Sequence, residues 1–152
     1  MFFLSIGGIG FLPGAPGTYA SAVGVALFYT LIRFLPVAPA MRIGIFVLLL
    51  LVLFGVSLPM IRAAGHDGRH DHSWIVIDEV IGMLIALVPF LFGNTIAILP
   101  ILVTFACFRL LDIYKPLGIG HIDEWRAPAA VILDDVLAGV YTAIIVAALF
   151  LW

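Results

Sequence analysis

Two pairs of adjacent acids stand in apolar surroundings: Asp78 and Glu79 in IVIDEVIGML, and Asp134 and Asp135 in VILDDVLAGV. An ionised side chain at the centre of a membrane helix costs about 2.5 to 3.5 kcal/mol on insertion scales, so acids held in such runs point to a site that uses them. The chemistry open to two acidic pairs is coordination of a hard cation. Mg²⁺ takes carboxylate oxygens, keeps several waters and shares its shell with substrate phosphate. Zinc is disfavoured, because the chain has one cysteine, Cys107, and no HExxH spacing. Gly82, four after Asp78 and three after Glu79, lies on their side of a helix and lets a neighbour approach closely. The bland alternatives are a snorkelling or helix-terminal charge for the first pair and a chance echo for the second.

Two further clusters carry polar chemistry. In FRLLDIYKP, residues 108–116, Arg109, Asp112 and Lys115 recur at spacings of three and form a charged ladder on one helix side. The ladder is either a set of intrahelical ion pairs at the membrane edge or a phosphate grip, with Asp112 joining the carboxylates and Pro116 ending the helix. In GGIGFLPGAPGTYAS, residues 7–21, five glycines and two prolines preclude a regular helix until Thr18 can cap one. Such a turn offers N–H groups to an anion, which makes Thr18 and Ser21 candidate substrate-binding residues; the plain alternative is a turn with an N-cap. Ser73 is a candidate N-cap and Trp74 an interface anchor, which would set Asp78 and Glu79 about 6 to 9 Å below the membrane surface. His66, His70 and His72 read as loop residues rather than ligands.

The elements that must position these residues follow from composition. The 152 residues are 64% hydrophobic and 11% charged with mean hydropathy +1.28, which predicts an integral membrane protein. A net charge of -2 with seven scattered Lys and Arg leaves no basic stripe, so nucleic acid is not an expected partner. Cys107 has no internal partner. The opening MFFLSIGG lacks the positive region of a signal peptide, so the N-terminus is expected to be retained. Apolar stretches near 18–35, 42–62, 74–92, 95–114 and 129–151 predict an all-α bundle of about five membrane helices in a single domain, 1–152. The runs are continuous rather than alternating, which excludes a barrel. With the N-terminus in the cytoplasm, Arg62, Arg69, Arg109, Lys115 and Arg126 lie inside and Arg33 and Arg42 outside, as the positive-inside tendency prefers. The same parity puts every polar motif on one face, which favours a surface enzyme over a pore. A cation or proton transporter is the alternative, and predicts polar residues on the far side or broken helices in two related halves. A noncatalytic subunit that docks a partner through its polar loops is a second rival.

LPGAPGTYAS, HDHSWIVIDEVIGM, FRLLDIYKP and ILDDVLAGV, in this order between residues 12 and 141, resemble the phosphatidylglycerophosphatase A family. The ordered set is far more specific than any one piece. Two departures are local: Ala20 precedes Ser21 where the family more often has Gly-Ser, and the 117–128 connection is short. The resemblance implies a Mg²⁺-dependent phosphomonoesterase of phospholipid biosynthesis in the bacterial cytoplasmic (inner) membrane. Its substrate would be phosphatidylglycerol phosphate, its site would face the cytoplasm, and a homo-oligomer is left open. The chain itself lacks the cysteine-to-arginine spacing of thiol phosphatases, a DxDx(T/V) aspartyl nucleophile and the DGxxAR of CDP-alcohol phosphotransferases. The expected assignment gives Mg²⁺ to Asp78, Glu79, Asp134 and Asp135, and the phosphoryl oxygens to Arg109 and Lys115. Asp112 is a further ligand, an acid or base, or the nucleophile.

Overall fold

The computed structural model describes residues 1–34, 37–65, 73–92, 97–123, 125 and 127–150. Among them the fold is all-helical, with six α-helices: α1 (Pro16–Phe34), α2 (Pro39–Ala63), α3 (Ile77–Ala86), α4 (Ile98–Tyr114), α5 (Ile119–Asp123) and α6 (Ala130–Phe150). Short 3₁₀ turns occupy Ile9–Phe11 and Val88–Phe92. The long helices form where the apolar runs predict them. Two of them, α2 with 25 residues and α6 with 21, are long and apolar enough to cross a bilayer. α2 presents Leu48, Leu51 and Val52 outward, as a lipid-facing helix does.

The expected boundaries move in three places. α1 begins at Pro16 rather than at a Thr18 cap, because proline's fixed φ suits the first helical position and its missing N–H is not needed there. The third stretch is not one helix over 74–92. Ser73 does not cap it; Val76 occupies the N-cap position, and its N–H donates to the Leu4 carbonyl at 2.9 Å. The helix ends at Ala86 and passes into the Val88–Phe92 turn, where Pro89 has no N–H for a continued helix and disfavours helical geometry at Val88. The short α5 adds a helix that the apolar runs do not predict, in the connection before α6.

α3 is the hub. It packs against α6, α1 and α4, and eight of its ten residues are buried. Gly82 and Gly139 bring α3 and α6 together backbone to backbone: a Cβ on Gly139 would fall on the Gly82 carbonyl oxygen, and one on Gly82 would sit 2.6 Å from the Asp135 carbonyl oxygen. This approach sets the acidic start of α3 against the acidic start of α6. On the far side of the bundle, Arg42 of α2 donates to the Leu91 carbonyl at 3.2 Å and ties α2 to the end of the α3 segment.

Candidate active site

Adjacent residues on a helix project about 100° apart, so the two carboxylates of a pair reach one point only where their side chains bend toward each other. The first pair does so, and the second contributes one member. One oxygen each from Asp78, Glu79 and Asp135 lie within 4.8 Å of one another, and Asp78 and Asp135 are buried. In each pair the first aspartate accepts from the next residue's backbone N–H: Glu79 N–H to Asp78 Oδ1 at 3.1 Å, and Asp135 N–H to Asp134 Oδ1 at 3.0 Å. Asp134 then diverges. Its Oδ2 receives the Lys115 Nζ at 2.8 Å, while its charge still acts on Asp78 nearby.

Lys115 reaches across because α4 stops one residue earlier. It is the C-cap, with φ 47 and ψ 47 in the left-handed region, and its N–H donates to the Leu111 carbonyl. The charged ladder on α4 is therefore divided. Arg109 and Asp112 pair along the helix at 2.5 Å, and Lys115 leaves the helix to meet α6. Asp112 stands near Asp135, which links the α4 pair to the three converging acids.

α1 supplies the remaining wall. Ser21 Oγ donates to the Gly17 carbonyl at 2.8 Å and accepts from Arg109 Nη1 at 3.5 Å. Gly17 lies directly against the site: a Cβ there would overlap Glu79 Oε1 and stand 3.1 Å from Glu79 Cδ and 3.2 Å from Arg109 Nη2. Thr18 sits partly buried in the first turn of α1 and makes no side-chain hydrogen bond among the described residues. His66, His70 and His72 lie outside the described residues. Gly17 and Gly139 are contributors that residue type alone does not single out; the available signal is that Gly139 follows Asp135 by the four residues that separate Gly82 from Asp78.

The donor set fits Mg²⁺. Among the described residues Glu79 Oε2 is buried with no hydrogen-bond partner, which is a costly state for a carboxylate oxygen unless something positive meets it. Asp78, Glu79 and Asp135 would hold the ion, each offering one carboxylate oxygen of the kind Mg²⁺ takes. Five acids, Asp78, Glu79, Asp112, Asp134 and Asp135, stand here against two cations, Arg109 and Lys115. That excess favours a divalent ion.

An apolar helical bundle with a buried, one-ended acidic centre and an arginine and a lysine beside it defines a membrane-associated enzyme of phosphate chemistry. The family model for phosphatidylglycerophosphatase A matches residues 2–150. The chain belongs to that family. It is 36% identical to the phosphatidylglycerophosphatase A of Haemophilus influenzae, over 98% of this chain and 88% of the relative. It is 34% identical to that of Escherichia coli K12, over 92% and 77%. A Bacteroides thetaiotaomicron protein provisionally named a phosphatidylinositol-3-phosphatase is 32% identical over 92% and 86%. No solved structure matches the chain. The transporter alternative finds no support in these relatives.

Proposed function

We propose that this protein hydrolyses phosphatidylglycerol phosphate to phosphatidylglycerol and inorganic phosphate, with Mg²⁺ held by Asp78, Glu79 and Asp135. The observation that carries this reading is the buried Glu79 Oε2, unpartnered among the described residues, within a three-carboxylate group that Arg109 borders. When bound, Mg²⁺ supplies charge neutralisation at the phosphoryl oxygens and lowers the pKa of water. The chain's own residues do the rest. Arg109, oriented by Asp112 and Ser21, offers a planar fork of donors to the phosphate. Lys115, held by Asp134, adds a second cation at the same rim. Asp112, near Asp135, would accept the proton of the attacking water. The phosphorus–oxygen bond to glycerol breaks, the bond to the water oxygen forms, and one proton from that water ends on the glycerol oxygen.

This assignment divides the second acidic pair, giving Asp135 to the ion and Asp134 to Lys115. It also sets the enzyme in phospholipid biosynthesis, as a multi-pass protein of the bacterial cytoplasmic membrane with its site facing the cytoplasm. The test is phosphate release by the purified full chain in detergent with phosphatidylglycerol phosphate, with Mg²⁺ present or removed by chelation. Asp78→Asn, Glu79→Gln and Asp135→Asn are each expected to lower release at least about tenfold, roughly 1.4 kcal/mol of barrier. Release that persists in the chelated enzyme and in all three variants refutes the reading.

A further inference from the structure

We propose that residues 1–14 form a lip immersed in the boundary between lipid head groups and acyl chains, beside the carboxylate site, and that its partner is bilayer lipid. The segment is firmly built. Leu4 is buried and accepts from the Val76 N–H, the Phe11 ring stacks on Trp74 at 5.9 Å and 15°, and a Cβ on Gly10 would fall on the Trp74 carbonyl oxygen. These contacts fix the segment at the start of α3, two residues from Asp78. It leads directly into α1, whose Gly17 touches Glu79. The lip and the acids therefore share one end of the bundle.

Three independent features say what covers it. First, the segment carries no charged side chain. Second, it turns large apolar groups outward, with Phe2 78%, Phe11 60% and Leu12 48% exposed, although the element beneath is packed. Third, the central part of its backbone is satisfied from within. From Ser5 to Leu12 every N–H donates to a carbonyl of the same segment, and Ser5 Oγ both accepts from the Gly8 N–H and donates to the Phe2 carbonyl. Gly7 and Gly8, at φ 68 and 101, allow the tight winding that closes these bonds. Irregular backbone is excluded from lipid because its polar groups go unsatisfied there. Here most of that penalty is removed, while water contact would leave Phe2, Phe11 and Leu12 hydrated. Immersion to about 5 to 10 Å, the depth of interfacial elements, accommodates both facts.

The consequence for the lip's neighbour rests on the phosphatase reading: the acyl chains of a bound lipid phosphate stay in the leaflet along Phe2, Phe11 and Leu12 while its head group reaches Glu79 and Arg109. The immersion itself does not rest on that reading, so it is tested without turnover. With Trp74, Trp125 and Trp152 changed to Phe, Leu12→Trp in the full chain is reconstituted into phosphatidylcholine vesicles. Phe2→Trp serves as a second reporter should Leu12→Trp fail to fold. The expected result is that bromine near the ester end of the acyl chains removes at least half of the emission, several-fold more than aqueous iodide does. Emission quenched by iodide as strongly as by bromolipid, or more strongly, overturns the proposal, whatever the phosphatase assay shows.

Discussion

Gly17→Ala separates activity from stability in a way that few substitutions here can. The added methyl overlaps Glu79 Oε1 and crowds Arg109 Nη2 at 3.2 Å. Both are ends of flexible side chains, so the helix survives and the side chains yield. Restoring an ordinary contact moves the Glu79 carboxylate by about 1 Å, and misplacement on that scale costs up to about a hundredfold in rate. The expected loss in kcat is ten- to a hundredfold, about 1.4 to 2.7 kcal/mol of barrier. Backbone propensity acts in the opposite direction, since alanine in a helix is favoured over glycine by up to about 1 kcal/mol. The thermal midpoint in detergent should therefore hold or rise while phosphate release collapses. Gly44→Ala is the control, because a methyl on that glycine would meet no atom within 4 Å. It should raise stability slightly and leave turnover alone. If Gly17→Ala works at the wild-type rate with the wild-type Mg²⁺ requirement, Glu79 is not held where the mechanism needs it.

Asp134→Asn and Lys115→Ala should each raise KM for the lipid phosphate several-fold while the Mg²⁺ concentration for half-activity stays put, and the double variant should be no worse than either alone; additive losses would break the proposed pair. Gly139→Ala presses a methyl onto the Gly82 carbonyl oxygen, a backbone atom that cannot swing away, so it should lower stability by about 1 to 3 kcal/mol in a denaturant titration. A wild-type midpoint for that variant contradicts the close α3–α6 approach. In a Cys107→Ser background, an impermeant thiol reagent applied outside intact cells should label a cysteine at position 38 and spare one at position 120. The reverse pattern inverts the proposed orientation.

The acids and the ladder are legible in the sequence because burying charge is expensive, so residue type alone marks Asp78, Glu79, Asp112, Asp134 and Asp135. Helix positions for α1, α2, α4 and α6 are legible from the apolar runs, within a few residues. What cannot be read there is set by contacts between distant parts of the chain. The start of α3 depends on the Val76 N–H finding the Leu4 carbonyl, 72 residues away in sequence (76 − 4), and no local pattern encodes that. Asp134 and Asp135 look equivalent in LDDVLAG, yet the rotation of α6 about its axis, pinned by Gly139 on Gly82, turns Asp135 toward Asp78 and leaves Asp134 to Lys115. The role of Lys115 likewise follows from a left-handed residue at a helix end, which Pro116 hints at without fixing.

The brevity of α3 bears on how the chain matures at the translocation machinery. Ten residues rise about 15 Å, half of a hydrocarbon core of about 30 Å, so this helix cannot hold itself across a bilayer as an independent insertion unit. Its acidic first turn makes solitary entry still less favourable. It therefore needs a groove, and one wall of that groove is α6, which follows it in the chain. Without α6, Gly82 has no Gly139 to meet and Asp78 and Glu79 have no Asp135 beside them. A chain cut before α6 keeps Asp78 and Glu79 but lacks Asp135, so the three-carboxylate group forms only once α6 has been made.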